Sequence, residues 1–147
     1  MTPTLLYDVR RARSKGELTA ALDLRHEVFC DEQGVPASEE LDGRDQDAVH
    51  LVAVREGELL GTCRLLMVGQ TAQFSRLAVA AQVRRRGIAT ALLGAAEQDA
   101  RAAAARRLVL HAQTYALTLY ESAGYRSRGG RFVEAGIEHV AMEKQLD

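Results

Sequence analysis

The feature that most constrains this chain is a change of hydrophobic period at residues 74–90, FSRLAVAAQVRRRGIAT. Over residues 74–79 the pattern alternates: Ser75, Leu77 and Val79 fall on one side of a strand, Phe74, Arg76 and Ala78 on the other. From Ile88 the spacing becomes helical, with Ile88, Leu92, Ala95, Ala96 and Ala103 forming one stripe. A strand must therefore run into a helix across Arg84, Arg85, Arg86 and Gly87, with Ala89 and Thr90 in the first turn. A helix start leaves backbone N–H groups unpaired and carries the positive end of the dipole, which suits an anion. Gly87 has no Cβ to hold a phosphate off the backbone, Ala89 is small, and the arginines add fixed charge with forked donors. On charge alone the run reads as a solvated face or a nucleic-acid patch; the flanking strand and glycine-led helix favour a phosphate loop.

At 147 residues the chain supports one domain, residues 1–147, with a core of its own. A net charge of −1 argues against a general nucleic-acid binder, because such domains are strongly basic. Cys30 and Cys63 make no disulfide framework and read as small buried hydrophobes rather than nucleophiles. The N-terminal residues carry no long apolar run, and no stretch approaches the ~18 apolar residues of a membrane span. The expectation is a cytoplasmic protein with neither membrane nor nucleic acid as partner. His26, His50 and His139 are scattered without metal spacing, and His26 with Cys30 is only a helical pair, so no metal is expected.

Residues 5–10 read as a first strand. Ser14 with Glu17 three positions later is a capping box. The helix behind it carries Leu18, Ala21, Leu22, Arg25, Val28 and Phe29 on one side and ends near Gly34 and Pro36. Arg25 in that stripe either snorkels to solvent or reaches a carboxylate. Residues 39–47 are acidic: either a solvated connector, or a funnel that offers Asp42 and Asp45 to a cationic amine. Residues 49–55 and 59–67 flank Glu56-Gly57-Glu58 as a hairpin, and the chain turns again at 69–71 into the strand at 74. Beyond the Gly87 helix come a strand at 107–111 and a short helix capped by Thr114 and stopped by Gly124. Closing strands then run through Phe132 and Gly136 to Glu143.

Arg84-x-x-Gly87-x-Ala89, after a strand and at the head of a helix, resembles the pyrophosphate loop of the GNAT superfamily of acyl-CoA N-acyltransferases. Tyr120-Glu121-x-x-Gly124-Tyr125 is similar to that superfamily's Tyr-Glu-x-x-Gly-Phe segment. More narrowly, four segments look like its ElaA/YjcF-like branch. They are Val28-Phe29-x-x-Glu32-Gln33-Gly34-Val35-Pro36, Glu40-x-Asp42-x-x-Asp45, Ala112-Gln113-Thr114 and Phe132-x-Glu134-x-Gly136-Ile137-x-His139. The front half, through Asp45 and Arg64-Leu65-Leu66, is also similar to the acyl-homoserine-lactone synthases, which share the fold.

The resemblance implies an α/β (α+β) fold: a mixed, mostly antiparallel sheet of about six to seven strands, splayed beside the Phe74 strand, with about four helices on its two faces. It also implies acetyl-CoA as acyl donor. Leu77, Ala78 and Val79 would pair with the pantetheine arm like an added strand. Arg84, Arg85, Arg86, Gly87, Ile88, Ala89 and Thr90 would hold the pyrophosphate, and Gln113 would contact the cofactor arm. Tyr120 matches the family's general acid.

Acyl transfer to an alkylamine needs a base, since such an amine is protonated near neutral pH. Where some relatives carry a glutamate on the strand after the pyrophosphate helix, this chain has Leu108. His111 and Glu32 are the candidates for the base, with His111 equally readable as a hydrogen-bonded strand-end residue. Two classes follow. One is an N-acetyltransferase acting by direct transfer in a ternary complex. The other is a non-catalytic acetyl-CoA-binding or regulatory module. The acceptor's identity and the choice between monomer and homodimer stay open.

Overall fold

The computed structural model describes residues 5–147. Residues 5–7 lead into a short strand, β1 (Asp8–Arg11), so the first strand starts later than its sequence suggests. Ser14 then caps helix α1 (Lys15–Arg25), its hydroxyl accepting from the Glu17 backbone N–H at 3.1 Å. Glu17 accepts from Arg13 N–H at 2.7 Å and from the Arg10 guanidinium at 2.7 Å and 2.8 Å. The Arg10 hydrogen bond, with that backbone N–H, draws the Glu17 carboxyl down to about 2. A wider, π-type segment (His26–Glu32) prolongs α1, and a single turn, α2 (Ala37–Glu40), follows Pro36.

The hairpin of β2 (Val49–Arg55) and β3 (Glu58–Val68) continues into β4 (Thr71–Val79) as an antiparallel meander. Next come α3 (Ile88–Ala102), β5 (Arg107–Gln113), α4 (Leu117–Ser122), β6 (Arg126–Glu134) and β7 (Ile137–Gln145). Among the described residues these seven strands form one sheet in the order β1-β2-β3-β4-β5-β7-β6. Only β4 and β5 pair in parallel, from Thr71↔Arg107 to Phe74↔Leu110. No helix among the described residues is long and apolar enough to cross a membrane.

The alternation along β4 does not survive its whole length. Thr62 faces Ala78 and Arg64 faces Ser75, so Arg76 and Leu77 together oppose Cys63. This is a β-bulge, and Arg76 sits in it with φ of +58°. An extra residue shifts the side-chain parity by one. Phe74 therefore packs in the core beneath α3, with Leu65, Ile88, Leu92 and Leu110, whereas Ala78 packs on the other face with Leu24 and Val28 of the first helix. The two were expected on one side.

Two helical details also differ from expectation. Ala103 lies exposed at the end of α3, where Leu93, Glu97 and Ala100 are buried instead. Glu97 is satisfied there by Tyr125 Oη at 2.8 Å and Lys144 Nζ at 3.0 Å. Thr114 makes no capping bond; residues Thr114–Ala116 form a tight turn, and α4 starts after Ala116 without a side-chain cap. Cys63 is buried, and that burial pushes its thiol well above the ordinary value, which makes it an inert core residue.

Candidate active site

Past Phe74 and Leu110, β4 and β5 have no further pairing, and the sheet opens. Backbone groups of Ser75 to Val79 on that side lack a strand partner, although Val79 O accepts from Arg84 Nε at 3.0 Å. The opening leads into a cavity of about 730 Å³. Leu77, Gln113, His111, Asp42 and Tyr120, all expected site residues, line it. Gln113 on its wall makes a reciprocal amide pair with Gln33: Gln113 Nε2 donates to Gln33 Oε1 at 2.9 Å and Gln33 Nε2 donates back at 3.3 Å.

At the far end of β4 the chain turns into α3. Gly87 is the N-cap with φ of +84°, and no atom lies within 4 Å of where its Cβ would be. Its left-handed backbone, not crowding, demands glycine. Arg84, Arg85, Arg86 and Thr90 are exposed around this helix start, Ala89 is half-buried, and Ile88 is the buried anchor that plants α3 on the sheet. Arg84 also reaches back to Glu32, with Nη2 donating to Oε1 at 2.9 Å. Glu32 is therefore tied to the loop beside the helix start and does not line the cavity.

Tyr120 is 6% exposed and lies between Phe74 and Tyr125, edge to face with both at 6.4 Å and 6.0 Å. Its hydroxyl has no hydrogen-bond partner among the described residues and is not sealed away, so it faces the cavity. Burial raises the phenol's pKa above its ordinary value, and it keeps its proton.

The opposite wall comes from β5, β6 and β7. His111 Nδ1 lies 2.9 Å from Glu134 Oε2, on an imidazole that is more than half exposed. His139 is 6% exposed; its Nδ1 lies 2.7 Å from Ile137 O. Phe132 stands between them, edge-on to His111 at 5.0 Å and stacked on His139 at 5.8 Å. In the sequence His139 is one of several scattered histidines. A signal was present: a two-residue turn at Ala135 and Gly136 must place Glu134 opposite Ile137 and Phe132 opposite His139, as the register has it.

The acidic segment is a different matter. Arg25, buried to 1%, bonds Glu40 at 2.7 Å and Asp45 at 2.7 Å, which answers the question its place in the helix stripe raised. Asp45 and Asp42 both bind Arg64, and Asp42 and Glu40 both bind Arg76. The result is a closed ring of alternating charges: Arg25, Glu40, Arg76, Asp42, Arg64, Asp45 and back to Arg25. Hydrogen bonds from Arg64 hold the Asp42 carboxyl far below its usual range. Burial pushes Asp45 up, but Arg25 and Arg64 outweigh it and its pKa is lowered. As a funnel for a cation the segment is therefore short of free charge. Asp42 and Asp45 are neutralised by arginines, and Asp45 lies outside the cavity lining.

The model of the acetyltransferase (GNAT) domain matches residues 13–146 of this chain. The uncharacterized N-acetyltransferase YjcF of Bacillus subtilis (strain 168) is 33% identical over 134 residues, covering 90% of this chain and 96% of its own. The crystal structure of Escherichia coli ElaA superposes with a TM-score of 0.84 at 23% identity, covering 95% of this chain and 99% of that one. A B. subtilis acetyltransferase solved in complex with CoA shares the fold at a TM-score of 0.75 and 18% identity, covering 96% and 99% of the two chains. With the family model matched over residues 13–146 and YjcF 33% identical across 90% of the chain, the chain belongs to the GNAT acetyltransferase family, in its ElaA/YjcF-like branch.

Proposed function

We propose that residues 1–147 act as one catalytic unit, an N-acetyltransferase that moves an acetyl group from acetyl-CoA to a primary amine of a small molecule or peptide. The observation that carries this reading is the parting of β4 from β5 beside a buried, protonated Tyr120 whose hydroxyl faces the gap. The unpaired edge around Leu77, Ala78 and Val79 can take the pantetheine amides as an added strand. The α3 start, with Gly87 left-handed and Arg84, Arg85 and Arg86 around it, suits a pyrophosphate. Ile88 anchors that turn, Ala89 and Thr90 complete it, and Gln113 can exchange its Gln33 partner for the cofactor arm.

The chemistry follows from these positions. The amine's lone pair attacks the thioester carbonyl, whose oxygen is stabilised by a β4 backbone N–H. A base removes the proton from the new ammonium, and the C–S bond breaks with its electrons on sulfur. Tyr120 donates to that sulfur. Because its pKa is raised, it acts by hydrogen bonding to the developing thiolate and transfers its proton late. Of the base candidates, Glu32 is held by Arg84, and His111 stands at the cavity rim with Glu134. The test is CoA release across a panel of primary amines, read with a thiol reagent. Amine-dependent release supports the enzyme. CoA binding without release on any amine would favour a binding module on the same fold.

A further inference from the structure

We propose that His139 is the general base, taking the acceptor amine's proton at Nε2. The role rests on the acetyltransferase reading above, and it assigns His111 and Glu134 to positioning rather than to proton transfer.

Ala135 and Gly136 have φ of +54° and +76°, the mirror-image turn that joins two strands through two residues. That turn sets Glu134 opposite Ile137 and aims the Ile137 carbonyl at His139 Nδ1, 2.7 Å away. A carbonyl oxygen only accepts, so Nδ1 must carry hydrogen. In the neutral imidazole the lone pair is then on Nε2. The Nδ1–H bond persists in the protonated ring, so His139 can take up a proton without turning. Phe132 stacked on the ring adds a second restraint.

Nε2 has no hydrogen-bond partner among the described residues, yet it is not sealed away, and His139 lines the cavity that Tyr120 also faces. A buried residue with one ring nitrogen anchored and the other open to a cavity suits a base that meets substrate rather than water. His111 has an anchored Nδ1 too, but it is more than half exposed and its partner, Glu134, is nearly half exposed. From that rim it holds Phe132 edge-on, and Phe132 in turn holds His139.

The step balances as follows. The acceptor's ammonium first releases one proton to solvent; the neutral nitrogen then attacks the carbonyl carbon, and Nε2 takes a proton from it as the C–N bond completes. The C–S bond breaks towards sulfur, which receives one proton from Tyr120. His139 and Tyr120 then return to their starting states through water, so the net transfer is one proton from nitrogen to sulfur. The other titratable and charged groups that line the cavity with His139 are His111 from β5, Glu134 and Arg128 from β6, the phenols Tyr115 and Tyr120, and Arg64, Arg76, Glu40 and Asp42 within their ring, together with Glu39 and Arg44.

The experiment compares wild type, His139→Gln and His111→Gln with acetyl-CoA and an amine from the panel, as kcat/KM against pH. His139→Gln should lose about 10²–10³-fold and lose the acidic limb of the profile, with CoA affinity and Tm near wild type. His111→Gln should keep the limb. A His139→Gln enzyme that keeps the limb, or a His111→Gln enzyme that alone loses it, overturns the proposal. Long-range ¹H–¹⁵N NMR of the wild-type imidazoles gives an answer that needs no variant: Nδ1–H at His139 supports the role, and Nε2–H overturns it. Absence of transfer by the wild type would instead overturn the acetyltransferase reading itself, whereas transfer that survives His139→Gln removes only this residue's part.

Discussion

Tyr120 keeps two functions in one side chain: its ring fills the space between Phe74 and Tyr125, and its hydroxyl faces the cavity. Tyr120→Phe separates them. The ring contacts remain, so Tm and CoA affinity should stay close to wild type, while kcat should fall by roughly 10²–10⁴-fold. The loss should shrink with a thioester whose leaving thiol is more acidic. Near-normal kcat with chemistry rate-limiting would reduce Tyr120 to a packing residue. Glu32 makes a second test at this scale. It is tied to Arg84 at the helix start, and on the proposed reading it would compete with a pyrophosphate for that guanidinium. An exposed pair of this kind contributes about 0.2–1 kcal/mol, so Glu32→Gln should tighten CoA binding by up to about 5-fold and leave kcat within about 2-fold. A kcat loss of about 10²-fold would instead make Glu32 the base.

Among the elements, β4 decides the site. Its bulge puts Arg76 in a left-handed conformation, and the same residue clamps the Glu40 carboxylate at 2.7 Å and the Glu40 carbonyl at 3.0 Å. A left-handed backbone costs an L-residue about 1–2 kcal/mol and glycine almost nothing. Arg76→Ala loses the clamp and keeps the strain; Arg76→Gly loses the clamp and the strain together. Urea denaturation should therefore rank Arg76→Gly as more stable than Arg76→Ala by about 1 kcal/mol, the reverse of the order in a regular strand. The usual order would mean that the bulge relaxes once the arginine is gone.

At the scale of the whole molecule, the ring of three arginines and three carboxylates ties the first helix, the acidic segment and strands β3 and β4 together. Its pH dependence has a definite sign. Asp42 and Asp45 have folded pKa values below the ordinary 3.8, so the stabilisation is complete above that value and is lost as pH falls towards the folded values. Stability from urea melts should be flat from neutral pH down to about pH 5 and then decline. Asp42→Asn should lower the neutral plateau and flatten the decline. An unchanged slope in that variant would show that other carboxylates carry the acid sensitivity.

How much of this was legible beforehand depends on how far apart the interacting residues stand in the chain. The Ser14 cap, the strand-to-helix switch at Gly87 and the hairpin at Glu56-Gly57 are written in neighbouring residues, because backbone periods and turn geometry are local. The parity shift at Arg76 is not: an alternating pattern looks the same whether or not one extra residue is inserted against the next strand. The fate of the acidic segment is not local either. Asp42 and Asp45 looked available because the arginines that neutralise them lie on α1, β3 and β4, and only the packing of that helix against the bulged sheet brings the charges within hydrogen-bond reach. His139 shows the same division: its tautomer follows from a local turn, but its place on the cavity wall exists only because β4 and β5 part above Phe74.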